Sequence, residues 1–244
     1  MRSWRLALRV ARRDALRARG RSLLVLVMIA LPVAAVAIAD TAYNTSDVSG
    51  DEVLERRLGA ASALVEVQDS AGRVYQKPDP EDGQAYDGGG RGDPLTLEGI
   101  EGVVGPRPAV VLQEGWVRFE TELGLGDADV VETEIGDPLT EGLLELVDSR
   151  WPTDAGEVVV SPELLERGPG EVLTLADGTE LDIVGTAEST RRTGYPRAFG
   201  LPGAFGLVDA GPTGYLLGGG PVTWEQVLEL NAEGASVLSR AVMT

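Results

Sequence analysis

An uncharged apolar run over residues 23–39, LLVLVMIALPVAAVAIA, constrains this chain more than any other feature. As an α-helix the run would be about 25 Å long, at the short end of what crosses a hydrocarbon core of roughly 30 Å. Residues 41–43 can lengthen it, because the amphipathic Tyr43 suits a membrane–water interface. Pro32 would break such a helix in water but is tolerated in lipid. The sequence therefore predicts a transmembrane helix over residues 23–43.

The charges on either side of this run predict its orientation. Residues 1–22 hold eight arginines and one aspartate, a net charge of +7. Since the whole chain carries −18, everything from Leu23 onward carries −25. Basic residues that flank a span stay in the cytoplasm. We therefore expect a cell-membrane protein with a cytoplasmic N-terminus and an extracytoplasmic main domain.

The basic segment 1–22 has a helical pattern of its own. Apolar residues recur in it at alternating steps of four and three: Trp4, Leu8, Ala11, Ala15 and Ala18. This spacing, with arginines beside the apolar stripe, is typical of an amphipathic helix that lies on the anionic inner face of the lipid bilayer. The alternative is a solvated basic tail.

A cleaved secretory signal is the rival interpretation of the N-terminal stretch. Ala37-Ile38-Ala39 matches an A-x-A cleavage site before Asp40, and Arg12-Arg13 is a twin arginine. The apolar run exceeds the usual signal core of about 7–15 residues, and its basic segment is long for a signal. These lengths favour a retained anchor, and the mass of the mature N-terminus would distinguish the two.

The composition excludes several kinds of chemistry. The chain has no cysteine and no histidine, which removes disulfides, thiolate and imidazole metal ligands, and histidine-based catalytic pairs. Lys77 is the only lysine and lies in a polar loop beside Pro78, so a lysine nucleophile has little basis. The acidic outer part would repel phosphate, which argues against a nucleic-acid partner. We predict no catalytic, cofactor-binding or metal-binding residues. Twenty arginines against one lysine is a composition typical of a GC-rich bacterium.

After the apolar run, the pattern predicts a stalk followed by an α+β domain of short strands and helices. Residues 44–61 keep apolar positions near helical spacing and are interpreted as the stalk, and residues 62–244 as the domain. The first strand is predicted at Ala63–Val67. Residues 69–94 are rich in Gly, Pro and Asp and are interpreted as a flexible loop. Its Arg91-Gly92-Asp93 tripeptide is treated as a chance match to an adhesion motif.

Two strands are predicted in the middle of the chain, at residues 110–112 and 116–119. Residues 123–129 are interpreted as a connection rich in Gly and Asp. In this connection Asp127 and Asp129 form a D-x-D pair of the kind used in calcium sites. Because the neighbouring positions lack the EF-hand pattern, we interpret the pair as part of a solvated loop.

The clearest local signals begin after Ser149. Glu157–Val160 is predicted to be a buried strand, and residues 162–167 a short helix with Ser161 as its N-cap and Gly168 at its end. The next predicted elements are strands at 172–175 and 181–184 around an Asp177-Gly178 turn, a loop at 191–203, strands at 204–208, 215–217 and 236–239, and a helix to Ala232 with a Thr223–Gln226 capping box and Gly234 at its end.

The sequence of residues 151–188, WPTDAGEVVVSPELLERGPGEVLTLADGTELDIVGTAE, resembles the extracytoplasmic core of FtsX-like, or MacB-like, permease subunits of ABC transporters. Members of that family typically show an RWP, GEVVVS, DG and IVG progression after a first membrane helix with a basic segment. The resemblance covers the apolar run and residues 143–187, and continues more weakly to residue 240. One departure is Ser149, where the family often has glycine before Arg150.

This resemblance implies a permease subunit, or the N-terminal portion of one. In the family, a partner ATPase subunit hydrolyses ATP and contacts the permease through membrane helices, which moves the extracytoplasmic domain for export or mechanical signalling. The resemblance also implies a homodimer in the full-length form. Because the family has further membrane helices after the outer domain, we expect the chain ending at Thr244 to be the first part of a longer reading frame or a truncated product.

Two other classes of function stay open. A singly anchored or secreted extracytoplasmic binding module fits a chain with one span and a self-contained outer part. An extracytoplasmic enzyme would have to use carboxylates such as Glu157, Asp177 or Asp182. These three residues occupy predicted strand and turn positions, where we interpret them as turn formers and solvated strand faces. We therefore expect that the chain is not an enzyme.

Overall fold

The computed structural model describes residues 50–67, 72–79, 83–87, 94–121, 123–207 and 213–243, together with residues 20, 24, 27–34, 36 and 37. The chain divides into two compact units, Met1–Ser49 and Gly50–Thr244. In the first unit, residues 27–34 are helical and exposed. No helix in the described part of the chain is long and apolar enough to cross a membrane. The predicted basic helix, except residue 20, and parts of the predicted span and cleavage site lie outside the described residues, and all three stay predictions.

The second unit, Gly50–Thr244, is called the body below. Its described helices are α1 (Gly50–Leu58), α2 (Leu97–Val104), α3 (Pro162–Leu165), α4 (Trp224–Ala232) and α5 (Arg240–Met243), with a 3-10 turn at Pro138–Thr140. Its described strands are β1 (Ala63–Val67), β2 (Val74–Gln76), β3 (Gln84–Tyr86), β4 (Ala109–Thr121), β5 (Gly124–Glu132), β6 (Leu144–Ser149), β7 (Glu157–Val160), β8 (Val172–Thr174), β9 (Glu180–Ser189), β10 (Arg197–Gly200), β11 (Gly214–Leu217) and β12 (Ala235–Ser239).

Ten of these strands form one sheet, in the order β12-β1-β11-β4-β5-β10-β7-β9-β6 with β8 also paired to β9. The sheet has two halves that share β4. Residues 109–112 of β4 pair with β11, and residues 113–121 pair with β5. Pairing is antiparallel throughout the first half, whereas the second half contains the parallel pairs β5–β10 and β7–β9. The body is therefore a mixed α/β domain built on one large sheet.

Helices cover both faces of the first half of the sheet. Side chains alternate along β1, so that Val65 faces a core formed with Ile100 of α2 and Leu230 of α4. Leu64 points to the opposite face, where it packs with Leu54 and Leu58 of α1. Burying a side chain of this size contributes about 1.5–3 kcal/mol. Apolar side chains thus recur every second residue in the strand and about every fourth residue in the helices. The result is a core of three layers, with the sheet between helices on its two faces.

The second half also buries both faces. On one face, Val158 and Val160 of β7 pack with Phe119 of β4 and Leu164 of α3. On the other face, Val159 of β7 packs with Val131, Ala187 and Phe199. An unbroken run of three valines in β7 is what a strand buried on both faces requires.

Several predicted elements are confirmed. The bounds of β1 and β7 are as predicted, and those of β8, β11 and β12 differ by one residue. A strand is present at the predicted β9 position, but it continues five residues further, to Ser189. The Ser161 hydroxyl accepts a hydrogen bond from the Leu164 N–H (3.3 Å), so α3 begins where predicted, although it ends at Leu165. Both hydrogen bonds of the Thr223–Gln226 capping box are present at the start of α4.

Four predictions about local structure are wrong. Residues 110–112 and 116–119 belong to the single strand β4, because residues 113–115 between them continue the ladder by pairing with β5. Residues 123–129 are not a connection, since β5 occupies Gly124–Glu132. The predicted 191–203 loop contains β10, and the predicted 204–208 strand is a turn over its described residues 204–207.

The predicted stalk and flexible loop also need correction. The second part of the 44–61 stalk is α1 of the body, because Leu54 and Leu58 are buried in its core. The 69–94 loop contains the β2–β3 hairpin. This hairpin is held because the Gln76 amide donates to the Val237 carbonyl oxygen (2.8 Å) and accepts from the Val237 N–H (2.7 Å), which satisfies the two backbone groups of Val237 on the outer edge of β12. Residues 88–93, with the adhesion-like tripeptide, lie outside the described residues.

Candidate functional site

A cavity of about 400 Å³ lies against the Val131 and Phe199 face of the sheet. Its walls come from α1, β1, β4, β5, β10 and the segment 133–144 that follows β5. It is called the arginine cavity below, after the four arginines in its lining. The lining residues are Arg56, Arg57, Leu64, Leu112, Glu114, Val131, Thr133, Ile135, Gly136, Asp137, Pro138, Thr140, Glu141, Gly142, Leu143, Leu144, Trp151, Ser189, Arg191, Arg197 and Phe199.

The arginine cavity concentrates positive charge on a strongly acidic body. Residues 50–244 hold 13 of the chain's 21 Lys and Arg and 36 of its 39 Asp and Glu, a net charge of −23. Four of those 13 basic side chains, Arg56, Arg57, Arg191 and Arg197, line this one cavity. The lining carboxylates are Glu114, Asp137 and Glu141, so the wall carries a net charge of +1. The lining is therefore less acidic than the body as a whole, and Glu66 and Asp129, which lie outside the lining, pair with three of its arginines.

A chain of ion pairs joins α1 to the sheet at this site. The Arg57 guanidinium donates to Glu66 (2.9 Å), and the Arg191 guanidinium reaches both Glu66 (3.5 Å) and Glu114 (3.2 Å). Ser236 also donates to Glu66 (3.4 Å). Arg57 is buried, whereas the side chain of Arg191 is 29% exposed. The two glutamates are partly exposed, so solvent screening weakens these pairs.

Arg197 is the most buried cation of the cavity whose pairing is incomplete. Its side chain is 6% exposed, and its nearest described acid is Asp129, at 3.5 Å and 49% exposed. Its Nε is buried, and within the described ranges nothing accepts a hydrogen bond from that N–H. Leaving a buried donor of a charged group without an acceptor costs about 1–3 kcal/mol or more. The start of β10 thus places at the cavity wall a buried cation whose described ion pair is a single, partly exposed carboxylate.

The wall formed by segment 133–144 is fixed by its own hydrogen bonds. Asp137 accepts from the Leu139 N–H (2.8 Å), which caps the 3-10 turn, and the Thr140 hydroxyl donates to the Asp137 carbonyl oxygen (2.8 Å). The Thr190 hydroxyl lies within 3.0 Å of the carbonyl oxygens of Arg56 and Gly142. Because α1, the segment and the end of β9 meet at Thr190, the cavity wall is built into the fold.

Trp151 enters the cavity from a loop held by a bidentate ion pair. The Arg150 guanidinium donates to both carboxylate oxygens of Glu157 (2.5 and 2.6 Å), which also accepts from the N–H and hydroxyl of Thr153 (both 2.9 Å). These bonds, that of Arg150 first and those of Thr153 after it, lower the pKa of Glu157 to about 2. Glu157, one of the carboxylates considered for an enzyme, is therefore already engaged by three groups.

The other residues considered in the sequence do not meet at one site. Asp177 accepts from the Thr179 N–H (2.9 Å) in the β8–β9 turn, which lowers its pKa, and Asp182 is exposed on β9. Asp127 and Asp129 lie on β5 rather than in a loop. Across the described ranges, no group of three or more Asp and Glu is placed to hold a metal ion. Lys77 is exposed beside the β2–β3 hairpin.

Sequence reasoning missed Glu132, a buried carboxylate at the end of β5. Its side chain is 1% exposed and accepts from the N–H groups of Gly203 (2.9 Å), Phe205 (2.6 Å) and Leu207 (3.3 Å). It thereby fixes the 201–207 turn after β10. The available signal was the alternation Ala128, Val130, Glu132, which places a glutamate where a core residue belongs; the prediction of a connection over 123–129 concealed it.

Sequence reasoning also missed the arginine cavity itself.

No protein-family model matches the sequence, and no curated protein matches it either. The body's fold is similar to that of the extracellular domain of the noncanonic ABC-type transporter YknZ from Gram-positive bacteria (12% identity, 71% of this chain and 98% of that chain, TM-score 0.44). The periplasmic region of MacB from Actinobacillus actinomycetemcomitans is also similar (10% identity, 77% and 94%, TM-score 0.46). A third similar structure is described as a domain of a permease protein from Porphyromonas gingivalis (13% identity, 75% and 90%, TM-score 0.41).

Proposed function

We propose that this chain is a permease subunit, or the N-terminal portion of one, of the FtsX-like, or MacB-like, kind. Residues 1–22 would lie in the cytoplasm, residues 23–43 would span the membrane, and the body would lie outside the cytoplasm. A partner ATPase subunit would hydrolyse ATP in the cytoplasm, and the body of a homodimeric permease would move in response. The body would carry out no chemistry of its own.

The observation that carries this proposal is the reversal of charge across the apolar run. Residues 1–22 hold a net +7 and the chain from Leu23 onward a net −25. Such a reversal is what the positive-inside rule produces around a span whose C-terminal side is exported. The RWP-to-IVG progression of residues 150–185 also supports the proposal, because it resembles that of FtsX-like permeases, which have this topology.

The way α1 is held supports a mechanical role. Leu54 and Leu58 are buried in the body, the Ala60 N–H donates to the Glu141 carbonyl oxygen (3.0 Å), and Arg240 donates to the Gly59 carbonyl oxygen (2.8 Å). α1 is also the first described element of the body after the predicted span. A displacement at α1 would therefore pass directly to segment 133–144 and to the sheet.

Affinity purification from the native host tests the proposal. The chain, tagged within its natural reading frame, is expected to bring down an ATP-binding cassette subunit that mass spectrometry identifies. A matched protein that lacks residues 1–49 and is exported by an unrelated signal is expected to lose that subunit. Recovery of the ATPase at the level of an untagged control would contradict the permease assignment.

A second candidate function is an extracytoplasmic binding module, and the arginine cavity is the observation that favours it. A cavity of about 400 Å³ is within the range of roughly 300–1,000 Å³ found for small-molecule sites. A chain that binds a ligand but recovers no ATPase in the purification above would be such a module. Binding together with ATPase recovery would place the cavity in a permease.

A further inference from the structure

We propose that the arginine cavity binds an anionic amphiphile, a molecule with one carboxylate or phosphate head group and an apolar chain. The inference rests on the cavity and not on the permease assignment. Two sets of side chains carry it, one apolar and one cationic, and both face the same space.

The apolar set is part of the sheet face. Val131 and Phe199 lie side by side on β5 and β10, and Leu112 of β4 and Trp151 extend the surface they form. Val131 and Phe199 are 9% and 1% exposed, so their backbone and rotamers are held by the core behind them. A ligand chain that covers this wall gains about 25 cal/mol for each Å² of apolar surface removed from water.

The cationic set is placed to receive one anionic head group. Arg197 presents a buried guanidinium whose Nε has no acceptor among the described residues and whose acid partner Asp129 is 3.5 Å away and half exposed. The Arg191 side chain is 29% exposed and forms ion pairs with two glutamates, Glu114 at 3.2 Å and Glu66 at 3.5 Å. Carboxylates and phosphates form charge-assisted hydrogen bonds with guanidinium groups. A head group in the cavity would add a charge-assisted hydrogen bond to the Arg197 guanidinium, whose described acid partner Asp129 lies 3.5 Å away.

The overall charge of the body makes the expected selectivity unusual. With a net −23, its long-range field attracts cations and repels anions. A preference for an anion can therefore come only from the local arginines. If these arginines served only to neutralise Glu66, Glu114 and Asp129, no anionic ligand would be selected.

Protection of a single cysteine from a thiol reagent tests the proposal in the full chain. Because the sequence contains no cysteine, Ser189→Cys places the only thiol in the cavity wall, at a position that is 7% exposed and where the substitution is nearly isosteric. The chain in membrane vesicles is treated with a small neutral thiol reagent in the presence of sodium decanoate. The reaction at residue 189 is expected to slow about fivefold or more at saturation.

Three comparisons define what the protection means. Decyltrimethylammonium has the same chain with the opposite charge, and inorganic phosphate has an anionic group without a chain; neither is expected to protect at the decanoate concentration. Leu228→Cys provides a thiol on α4, where the leucine is 49% exposed and outside the cavity lining, and its reaction is expected to stay unchanged. This control also reports any general effect of the amphiphiles on the membrane.

The arginine variants complete the test. Combined with Ser189→Cys, Arg191→Gln removes a partly exposed charge and is expected to raise the half-protecting decanoate concentration about tenfold, the loss of a charge-assisted hydrogen bond. Arg197→Gln is expected to abolish protection. Unaltered reaction of Leu228→Cys in the same backgrounds, with an unchanged melting curve for Arg191→Gln, would show that the fold is kept.

Each alternative result overturns the proposal. Equal protection by decanoate and decyltrimethylammonium would mean apolar binding without recognition of charge. Protection by inorganic phosphate alone would assign the site to a small anion. Absence of protection, or protection that Arg191→Gln and Arg197→Gln leave unchanged, would give the arginines a purely structural role.

Discussion

Ser149 has a backbone conformation that suits glycine better than serine. Its φ is +67°, and it is the only non-glycine residue with positive φ in the described part of the body. For an L-residue this left-handed conformation costs about 1–2 kcal/mol, which glycine avoids. Ser149 therefore holds a backbone conformation that glycine would adopt without this cost.

We predict that Ser149→Gly stabilises the body by about 0.5–1 kcal/mol, which is the relief of backbone strain less the extra entropy that glycine loses on folding. The melting temperature would rise by about 2–3 °C. Thermal unfolding of the purified full chain, followed by near-UV circular dichroism, measures this shift. Ser149→Ala keeps the Cβ atom and is the matched control, for which no gain is expected. An equal gain in both variants would contradict the strain argument.

Glu157 is predicted to make the body sensitive to acid. Its pKa is lowered from 4.5 to about 2, so its pairing with Arg150 and Thr153 stabilises the folded state fully above about pH 4.5 and is lost as the pH falls towards 2. The stability difference between the native chain and Glu157→Gln should therefore be largest near pH 6 and should shrink on acidification. Melting temperatures at a series of pH values test this.

Arg150→Gln provides the companion measurement, since it removes the first cause of the lowered pKa. The difference in melting temperature between this variant and the native chain should also shrink as the pH falls from about 4.5 to 2. A gap that is constant with pH in both variants would show that the ion pair does not distinguish the folded from the unfolded state.

At the scale of the element, α1 decides whether the predicted stalk is separate from the body. Leu58→Ala is expected to destabilise the body by about 2–5 kcal/mol, because Leu58 is fully buried between α1 and the sheet. Glu55→Ala lies on the exposed side of the same helix and should change stability by about 0.5 kcal/mol or less. Urea unfolding of the two variants measures both values. If both variants lose a similar, small amount of unfolding free energy, α1 does not pack into the body and belongs to the predicted stalk.

The elements that sequence reasoning located are those whose signals are local. The strand in β7, the cap at Ser161 and the capping box at Thr223 each depend on residues within a few positions of one another. β10 was missed because its four residues sit among Gly, Pro and Arg and are a strand only by pairing with β5 and β7. Ala204 and Phe205 were interpreted as a strand, but their turn is fixed by Glu132, more than 70 residues earlier in the chain.

The candidate site was beyond sequence reasoning for the same reason. Arg57, Arg191 and Arg197 are brought together only when α1 packs beside the centre of the sheet, across more than 130 residues of chain. Each arginine on its own is indistinguishable from a solvated surface residue. The sequence did, however, exclude the residue types that most enzymes and metal sites use, since histidine and cysteine are absent throughout.

At the scale of the whole molecule, the absence of native cysteine permits a direct test of topology. We predict that a membrane-impermeant maleimide added to spheroplasts labels Leu228→Cys and leaves Ser3→Cys unlabelled until the cells are opened. The reason is that the proposed orientation, inferred from the charge reversal, would place residue 3 in the cytoplasm and the body outside. Loss of residue 3 from the mature protein would identify a cleaved signal, and labelling of residue 3 in closed cells would reverse the orientation.

The continuity of β4 affects how the body can be taken apart. Of its 13 residues, 109–112 pair with β11 and 113–121 pair with β5. Both halves of the sheet therefore depend on this strand. Unfolding of β4 would therefore leave both β11 and β5 with an unpaired strand edge. We therefore expect the two halves to lose their sheet structure together when β4 unfolds.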